Sequence, residues 1–151
     1  KSMLFLSSGN IYLAYGSKSI DRVSGVRRRL PLTGALFVAG FLAITGSPPF
    51  GPFQSLFAIV NAAFEGGRYV VVGAFLLLLF VVFIGMGATV LAAVQGRPPE
   101  EPSGEKKYRD SFLSCLPIVL LLVLVLLLGV YMPDSLRTLL QNAAKLLEAR
   151  P

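Results

Sequence analysis

The chain contains no histidine, no tryptophan and one cysteine among its 151 residues. Zinc sites and iron–sulfur clusters need several His or Cys ligands, so we expect this chain alone to hold no metal and no other cofactor. Cys115 has no partner for an internal disulfide, and its place in an apolar run indicates a packing residue. Phosphate-binding glycine loops and serine or cysteine triads are also missing from the sequence, so we expect no self-contained catalytic site.

Charge is scarce where the sequence is most apolar. Two runs carry no charged residue at all, Tyr69–Gln95 over 27 residues and Ser111–Met132 over 22. About 20 apolar residues are enough to cross a bilayer. With 54% hydrophobic residues overall, the sequence predicts an all-α, polytopic transmembrane protein in contact with the lipid bilayer. The net charge of +6 comes from short loops between apolar runs rather than from a basic face with interleaved aromatics, which argues against a nucleic-acid partner.

Five apolar segments and a tail divide the chain. We expect residues 1–133 to form transmembrane helices and residues 134–151 to form a C-terminal amphipathic helix that lies on the membrane surface or on a partner, because its leucines recur at helical spacing. The first segment is too short to span alone, so we expect it to be the end of a helix that begins upstream. The expected transmembrane elements are the end of one helix at 1–15, a broken helix at 31–64, and helices at 69–95 and 111–132.

The stretch "AITGSPPFGPFQS", residues 43 to 55, interrupts the apolar sequence. Proline removes a backbone donor and glycine weakens a helix. The flanking segments are roughly 22 Å and 20 Å long, whereas the hydrocarbon core is about 30 Å thick. They are either two short tilted spans or the halves of one broken span. Length favours the broken span, with irregular backbone between about 46 and 52. The residues predicted to break the helix are Gly46, Pro48, Pro49, Gly51 and Pro52.

The positive-inside rule does not decide between these two topologies, because either one divides the loop charges nine to four. The two basic loops, "SKSIDRVSGVRRRL" and "GRPPEEPSGEKKYRD", carry the nine, and in the broken-span topology both face the cytoplasm. The triple arginine of the first loop is best interpreted as a cytoplasmic anchor. The alternative is binding of anionic lipid or of an acidic partner.

A break within a membrane helix is tolerated where it is buried in protein or lines a wet cavity, and transporters place such breaks at ion sites. Lys1 is the other signal, because a charge within a span is costly and by default functional. At the interface it would instead extend its amine to the headgroups. Polar side chains near the break either belong to an ion pathway or only pair the backbone groups that the break frees. The candidate ion-pathway residues are Lys1, Thr45, Ser47, Gln54 and Ser55.

Three stretches together resemble one family. "KSMLFLSSGNI" resembles the lysine-bearing helix of the antiporter-like subunits of respiratory complex I and of membrane-bound NiFe hydrogenases. "GSPPFGPFQS" resembles the break in that family's second discontinuous helix. "LGVYMPDSLRTLLQNAAKLL" resembles the C-terminal end of hydrogenase-type members, including those of formate hydrogenlyase-like complexes. The resemblance covers nearly all of the chain and about the last third of a full subunit.

This resemblance implies a proton- or cation-translocating membrane subunit of a complex I-like or hydrogenase-like redox-driven assembly. It implies other membrane and peripheral subunits as partners, with the redox centres in those subunits, and a bacterial or archaeal cytoplasmic membrane as the location. It also favours one broken span that opens onto an ion path at mid-membrane.

One position departs from the family pattern. Members usually carry Glu or Lys directly after the serine of the "F-x-S" stretch, whereas Leu56 follows Ser55 here. Leucine does not titrate, so a non-conducting structural subunit of the same kind of assembly is the alternative function. An unrelated transporter is the remaining one.

Overall fold

The computed structural model describes residues 1–19, 22–96 and 108–148, without the side chains of Leu147 and Glu148. Within these ranges all regular secondary structure is helical, so the expected all-α class is confirmed for the described part of the chain. The described helices are α1 (Ser2–Tyr15), α2 (Val26–Arg29), α3 (Pro31–Ile44), α4 (Gly51–Glu65), α5 (Tyr69–Val94), α6 (Phe112–Val130) and α7 (Asp134–Glu148).

Two of these helices, α5 and α6, are long and apolar enough to cross a membrane. At 26 and 19 residues they are about 39 Å and about 28 Å long. Only 11% of the most apolar window of each is buried inside the protein, whereas the core helix of a soluble protein would be mostly buried. Their side chains therefore present an apolar outer surface that suits lipid.

Some helix limits differ from those expected. The last long helix ends at Val130 and not at Met132, because the residue before Pro133 is disfavoured in the helical conformation and Tyr131 is already extended. The expected broken helix is two helices, α3 and α4, separated by residues 45–50. The tail helix is described to Glu148, and residues 149–151 of the expected tail lie outside the described part.

Helix α3 lies at the centre of the bundle and packs against α1, α5 and α6. On one side Leu36 joins a buried cluster with Met3, Cys115 and Ile118. On another side Phe41 forms a second cluster with valines of α5. Helices α1 and α6 thus meet on one side of α3 and α5 packs on another, and the position of α3 determines the position of the helix break.

Together, α3 and α4 run the length of α5. Leu30, just before α3, lies in one buried cluster with Ala93 at the end of α5. The rings of Phe41 and Phe83 lie 5.3 Å apart near the middle of α5. Three residues, 66–68, separate the end of α4 from the start of α5, so the end of α4 is tethered to the start of α5. The α3–α4 pair therefore extends along the whole of α5 and runs in the opposite direction.

The N-terminus of α3 is capped by a residue far away in sequence. Its own N-cap, Leu30, supplies no side-chain hydrogen bond. Instead the Asp110 carboxylate accepts the backbone N–H groups of Leu32 at 2.8 Å and Thr33 at 3.2 Å, and the Thr33 hydroxyl at 2.5 Å. A carboxylate at a helix N-terminus pairs donors that are otherwise open and interacts favourably with the helix dipole. Asp110 thereby fixes the start of α3 to the segment that leads into α6.

A second layer of hydrogen bonds extends this anchor to α1. Buried Asn10 donates to the Thr33 hydroxyl at 3.4 Å and approaches the Ser114 carbonyl oxygen at 3.5 Å. The Tyr108 hydroxyl contacts the Asn10 side-chain oxygen at 3.4 Å and the Ser114 hydroxyl at 3.3 Å. These polar groups hold α1, α3 and the start of α6 together at one end of the bundle.

The described parts of the two basic loops meet at that same end. A Cβ placed on Gly96 would lie 3.6 Å from the Ser24 Cβ, and Asp110 reaches the first turn of α3 from the second loop. Residues 20–21 and 97–107 of these loops lie outside the described part. The side of the membrane on which this end lies stays a prediction.

The first basic loop contains the short helix α2, which the sequence does not predict. It follows Gly25 in the left-handed conformation, with φ of 67°, which glycine adopts without steric cost. The guanidinium carbon of Arg29 lies 4.8 Å from the centre of the Tyr15 ring, whereas Arg27 and Arg28 are exposed. One arginine of the triple thus packs on α1, and the other two face outward.

We predict that Asp110→Ala lowers the free energy of unfolding by about 1–3 kcal/mol, because it leaves two N–H groups and a buried hydroxyl without their acceptor. Asp110→Asn should cost less, since its amide oxygen still accepts one of these bonds. SDS titration of the protein in mixed micelles measures the difference. Asp134→Ala, at an exposed carboxylate of α7, is the control. Unfolding of Asp110→Ala at the parent SDS concentration would contradict the anchoring role.

Candidate functional site

The connection between α3 and α4 is an irregular segment of six residues, 45–50. Gly46 has φ of 77°, and the Pro48–Pro49 peptide bond is cis. The Ser47 N–H donates to the Leu42 carbonyl at 3.0 Å, which closes the last turn of α3. Gly46, Pro48 and Pro49 lie within this segment.

Two of the five predicted break residues lie instead inside a helix. Gly51 and Pro52 form the first turn of α4, so the irregular segment is shorter than the expected 46–52. The reason is that the first-turn N–H groups of a helix have no intrahelical partner, and proline therefore loses nothing there. Pro52 begins a helix here and does not break one.

Leu56 closes the break on the side of α4. A Cβ added to Gly46 would overlap the Leu56 Cδ1 atom, so the leucine side chain occupies the space that only glycine leaves open at this position. Leu56 is half-buried in this position. The residue that departs from the family pattern therefore has a packing role in this chain.

Helix α6 closes the break from the opposite side through Gly129. A Cβ there would overlap the Pro49 carbonyl oxygen and would lie 2.6 Å from the Phe50 carbonyl carbon. The Gln54 side-chain amide also donates to the Gly129 carbonyl oxygen, which belongs to the last turn of α6 and has no intrahelical partner. The break thus packs against the end of α6. Along α5, the same segment lies close to the middle of the helix.

Two of the predicted ion-pathway residues pair backbone groups. Gln54 satisfies the Gly129 carbonyl, and the Thr45 hydroxyl donates to the carbonyl oxygens of Phe41 at 2.9 Å and Leu42 at 3.2 Å. Both contacts match the alternative that these side chains serve the backbone freed by the break. A third candidate, Ser47, lies inside the break and is half-buried.

Ser55 lies in a cavity of about 530 Å³ between α4, α6 and the start of α7. Its hydroxyl is on the exposed face of α4, and most of the other lining residues are apolar. The lining residues are Ile44, Gly51, Pro52, Ser55, Leu56, Val125, Leu128, Met132 and Leu136. A hydroxyl in such a cavity is able to hold a water molecule or pass a proton along a hydrogen-bonded chain.

Lys1 lies in a second cavity, of about 450 Å³, between α1, α3 and α5. Its walls are formed mainly by apolar side chains, with the Ser8 hydroxyl as the other polar side chain. The lining residues are Lys1, Leu4, Phe5, Ser8, Phe37, Phe41, Ile44, Met86 and Val90. Ile44, the last residue of α3, also lines the cavity of Ser55.

The Lys1 cavity continues toward the basic end of the bundle. A third cavity, of about 360 Å³, shares Ser8, Phe37 and Val90 with it and also contains Lys18. The structure thus places Lys1 and Ser55 in neighbouring cavities on the two sides of Ile44. The side chains of Thr45 and Gln54 hydrogen-bond to backbone carbonyl oxygens beside the break. Among the described residues, no group of three or more His, Cys, Asp or Glu side chains is close enough to hold a metal ion.

Sequence reasoning missed several residues of this region. Gly129 carries a usable signal, because an isolated glycine in an otherwise apolar helix often marks a close approach of another backbone. Asp110 and Thr33 carry none, since their pairing across 77 residues depends on the packing of α3 against α6. Ile44 is one apolar residue among many, and only the cavities distinguish it.

Comparison with known proteins relates the chain to a group of membrane proteins. Residues 1–82 match a family model described as NADH:quinone oxidoreductase/Mrp antiporter, transmembrane. The chain is 27% identical to a Na(+)/H(+) antiporter subunit of Bacillus subtilis (strain 168) over 99% of its own length and 31% of that protein's. It is 30% identical to the hydrogenase-4 component F homolog of Methylacidiphilum infernorum (isolate V4), over 98% of its own length and 30% of that protein's.

A shorter match links the chain to an NADH-quinone oxidoreductase subunit of Rickettsia conorii (strain ATCC VR-613 / Malish 7). The identity there is 30%, over 62% of this chain and 13% of that protein. The chain therefore spans less than a third of the length of each of these curated relatives.

We predict that Gly129→Ala destabilises the protein by about 1–3 kcal/mol, because the added methyl group displaces the backbone of the break. The matched control is Gly85→Ala in α5, where a Cβ meets nothing within 4 Å and alanine should be neutral or stabilising by up to about 1 kcal/mol. Unfolding in mixed micelles measures both variants. Equal stability of the two variants would rule out a close contact between Gly129 and the break.

Proposed function

Since this chain belongs to the NADH:quinone oxidoreductase/Mrp antiporter family of transmembrane proteins, we propose that it moves protons or another cation across a membrane. It does so as one subunit of a larger assembly driven by a redox reaction, with other membrane and peripheral subunits as partners. The names of its relatives, an antiporter subunit, a quinone oxidoreductase subunit and a hydrogenase component, support this class of activity.

The observation that carries the proposal is the row of cavities on both sides of Ile44. One contains the Lys1 amine and the other the Ser55 hydroxyl. Lys1 is the charged side chain that lines the first of these cavities, and a serine hydroxyl is able to pass a proton through a water chain. In this proposal Lys1 carries the charge and Ser55 lies on the path beyond the break.

In this proposal the remaining polar candidates hold the backbone of the break in position. Thr45 and Gln54 keep the backbone of the break paired while the helix is interrupted. Ser47 lies between them and offers its hydroxyl to the same region. The backbone of the break is then paired by side chains, as irregular backbone beside an apolar phase requires.

We propose a topology in which α3 and α4 form one interrupted crossing. The support is that the pair covers the length of α5 once, from the basic end of the bundle to the opposite end. The basic end faces the cytoplasm under the positive-inside rule, and the membrane is the cytoplasmic membrane of a bacterium or archaeon. Transmembrane helices then occupy residues 1–133, and α7 follows them.

One observation favours the alternative of a non-conducting structural subunit. Leu56, which replaces the charge expected from the family pattern, packs on Gly46 and has no proton to exchange. In that case the cavities hold lipid or neighbouring subunits, and ion movement belongs to another chain of the assembly.

We predict that Lys1→Ala reduces ion movement by the intact assembly to the background of protein-free vesicles, because Lys1 is the charged side chain among the residues that line its cavity. Proton uptake into vesicles, with redox turnover measured alongside, tests this. Leu56→Ala should mainly affect stability, by about 1–2 kcal/mol, because the side chain is only half-buried. Lys145→Ala on α7 is the control for loss of an exposed lysine.

The amount of subunit that copurifies with the assembly must equal that of the parent before either result is interpreted. If Lys1→Ala assembles, turns over and pumps like the parent, Lys1 does not conduct. The structural alternative would then be the better description of this chain.

A further inference from the structure

Helix α7 presents an apolar face that the described part of the chain covers only in its first turn, at Leu136. At about 100° per residue, its leucines fall within an arc of about 120°. Leu139 is 66% exposed and Leu146 is 72% exposed. The opposite face carries polar and charged side chains, among them Arg137, Gln141 and Lys145. The helix therefore has the two-sided composition of a segment that lies at a boundary between an apolar and an aqueous phase.

The connection to α6 determines where this helix is able to lie. Three residues separate Val130, the end of α6, from Asp134, the start of α7. At about 3.5 Å per residue, this link keeps the start of α7 within about 14 Å of the end of α6. Since α6 is itself about as long as the hydrocarbon core is thick, α7 begins at the edge of the bilayer. Tyr131, exposed in the link, is the kind of residue found at that depth.

The first turn of α7 also contacts the bundle. Leu136 lines the cavity that contains Ser55, together with Met132 from the link. This contact holds the start of the helix beside α4, and the residues after it point away from the described protein. The covering of Leu139, Leu140 and Leu146 must therefore come from outside the described chain.

We propose that α7 lies in the membrane interface, parallel to the bilayer plane, with its leucine face in the upper acyl region and Arg137 and Lys145 among the headgroups. The four charges of α7, Asp134, Arg137, Lys145 and Glu148, sum to zero. Apolar burial rather than attraction to anionic lipid therefore drives the contact. A phospholipid surface of neutral headgroups is sufficient.

The absence of tryptophan from these 151 residues permits a direct test on this chain reconstituted in phosphatidylcholine vesicles. Leu139→Trp places a single fluorophore on the apolar face, and Gln141→Trp places one on the opposite face as the matched control. Lipids brominated near the headgroup end of the acyl chains should quench Leu139→Trp at least about twofold more than Gln141→Trp. Adding phosphatidylglycerol should leave this ratio unchanged.

Two results of this experiment would overturn the proposal. Equal quenching of both variants by brominated lipid means that α7 is either inserted or detached. Equal quenching of both by aqueous iodide means that the leucine face is in water. Each variant is used only if its SDS unfolding matches that of the parent, and Leu146→Trp provides a second probe of the apolar face if Leu139→Trp does not fold.

A neighbouring subunit is the competing occupant, and photo-crosslinking in native membranes separates the two. A photoreactive phenylalanine analogue at position 139 should yield lipid adducts without a discrete shift to a larger protein species. A crosslinked protein band from position 139 that is absent with the probe at position 141 would show that a protein covers this face, and it would overturn the assignment to lipid.

Discussion

The arrangement of this molecule depends on the pairing of backbone groups at the two ends of α3. A helix that stops inside an apolar protein leaves N–H and C=O groups open, and lipid supplies no partner for them. At one end, the Asp110 carboxylate accepts the open N–H groups of Leu32 and Thr33. At the other, Thr45 and Ser47 donate to carbonyls of the last turn. Helices α1, α5 and α6 then pack around a segment whose ends are both held.

The same requirement changes the interpretation of the polar residues near the break. Thr45 and Gln54 face backbone carbonyls, so their chemistry is used to keep the interrupted helix intact. Leu56 and Gly129 close the break sterically from two directions. The proposed path for an ion therefore depends on Lys1 and Ser55, which line cavities, and not on the whole set of polar side chains.

Two of the cavities meet at the residue that precedes the break. Ile44 is the last residue before the break and lines both the Lys1 cavity and the Ser55 cavity. Any movement of the break changes the position of that side chain, because Thr45 and Gly46 follow it directly. An interrupted helix is thus suited to couple two sites that a continuous helix would keep apart.

Local composition was enough to predict the membrane class, the all-α fold, the two long apolar helices and the place of the break. Uncharged runs of bilayer length and clustered proline and glycine have few other structural outcomes. Helix packing in three dimensions, in contrast, was needed to learn that Pro52 starts a helix and that Asp110 caps α3 from 77 residues away. The same holds for Gly129, whose missing side chain leaves room for the backbone of the break. Those outcomes depend on which helices become neighbours, and the packing of faces that are uniformly apolar leaves no periodic signal in the sequence.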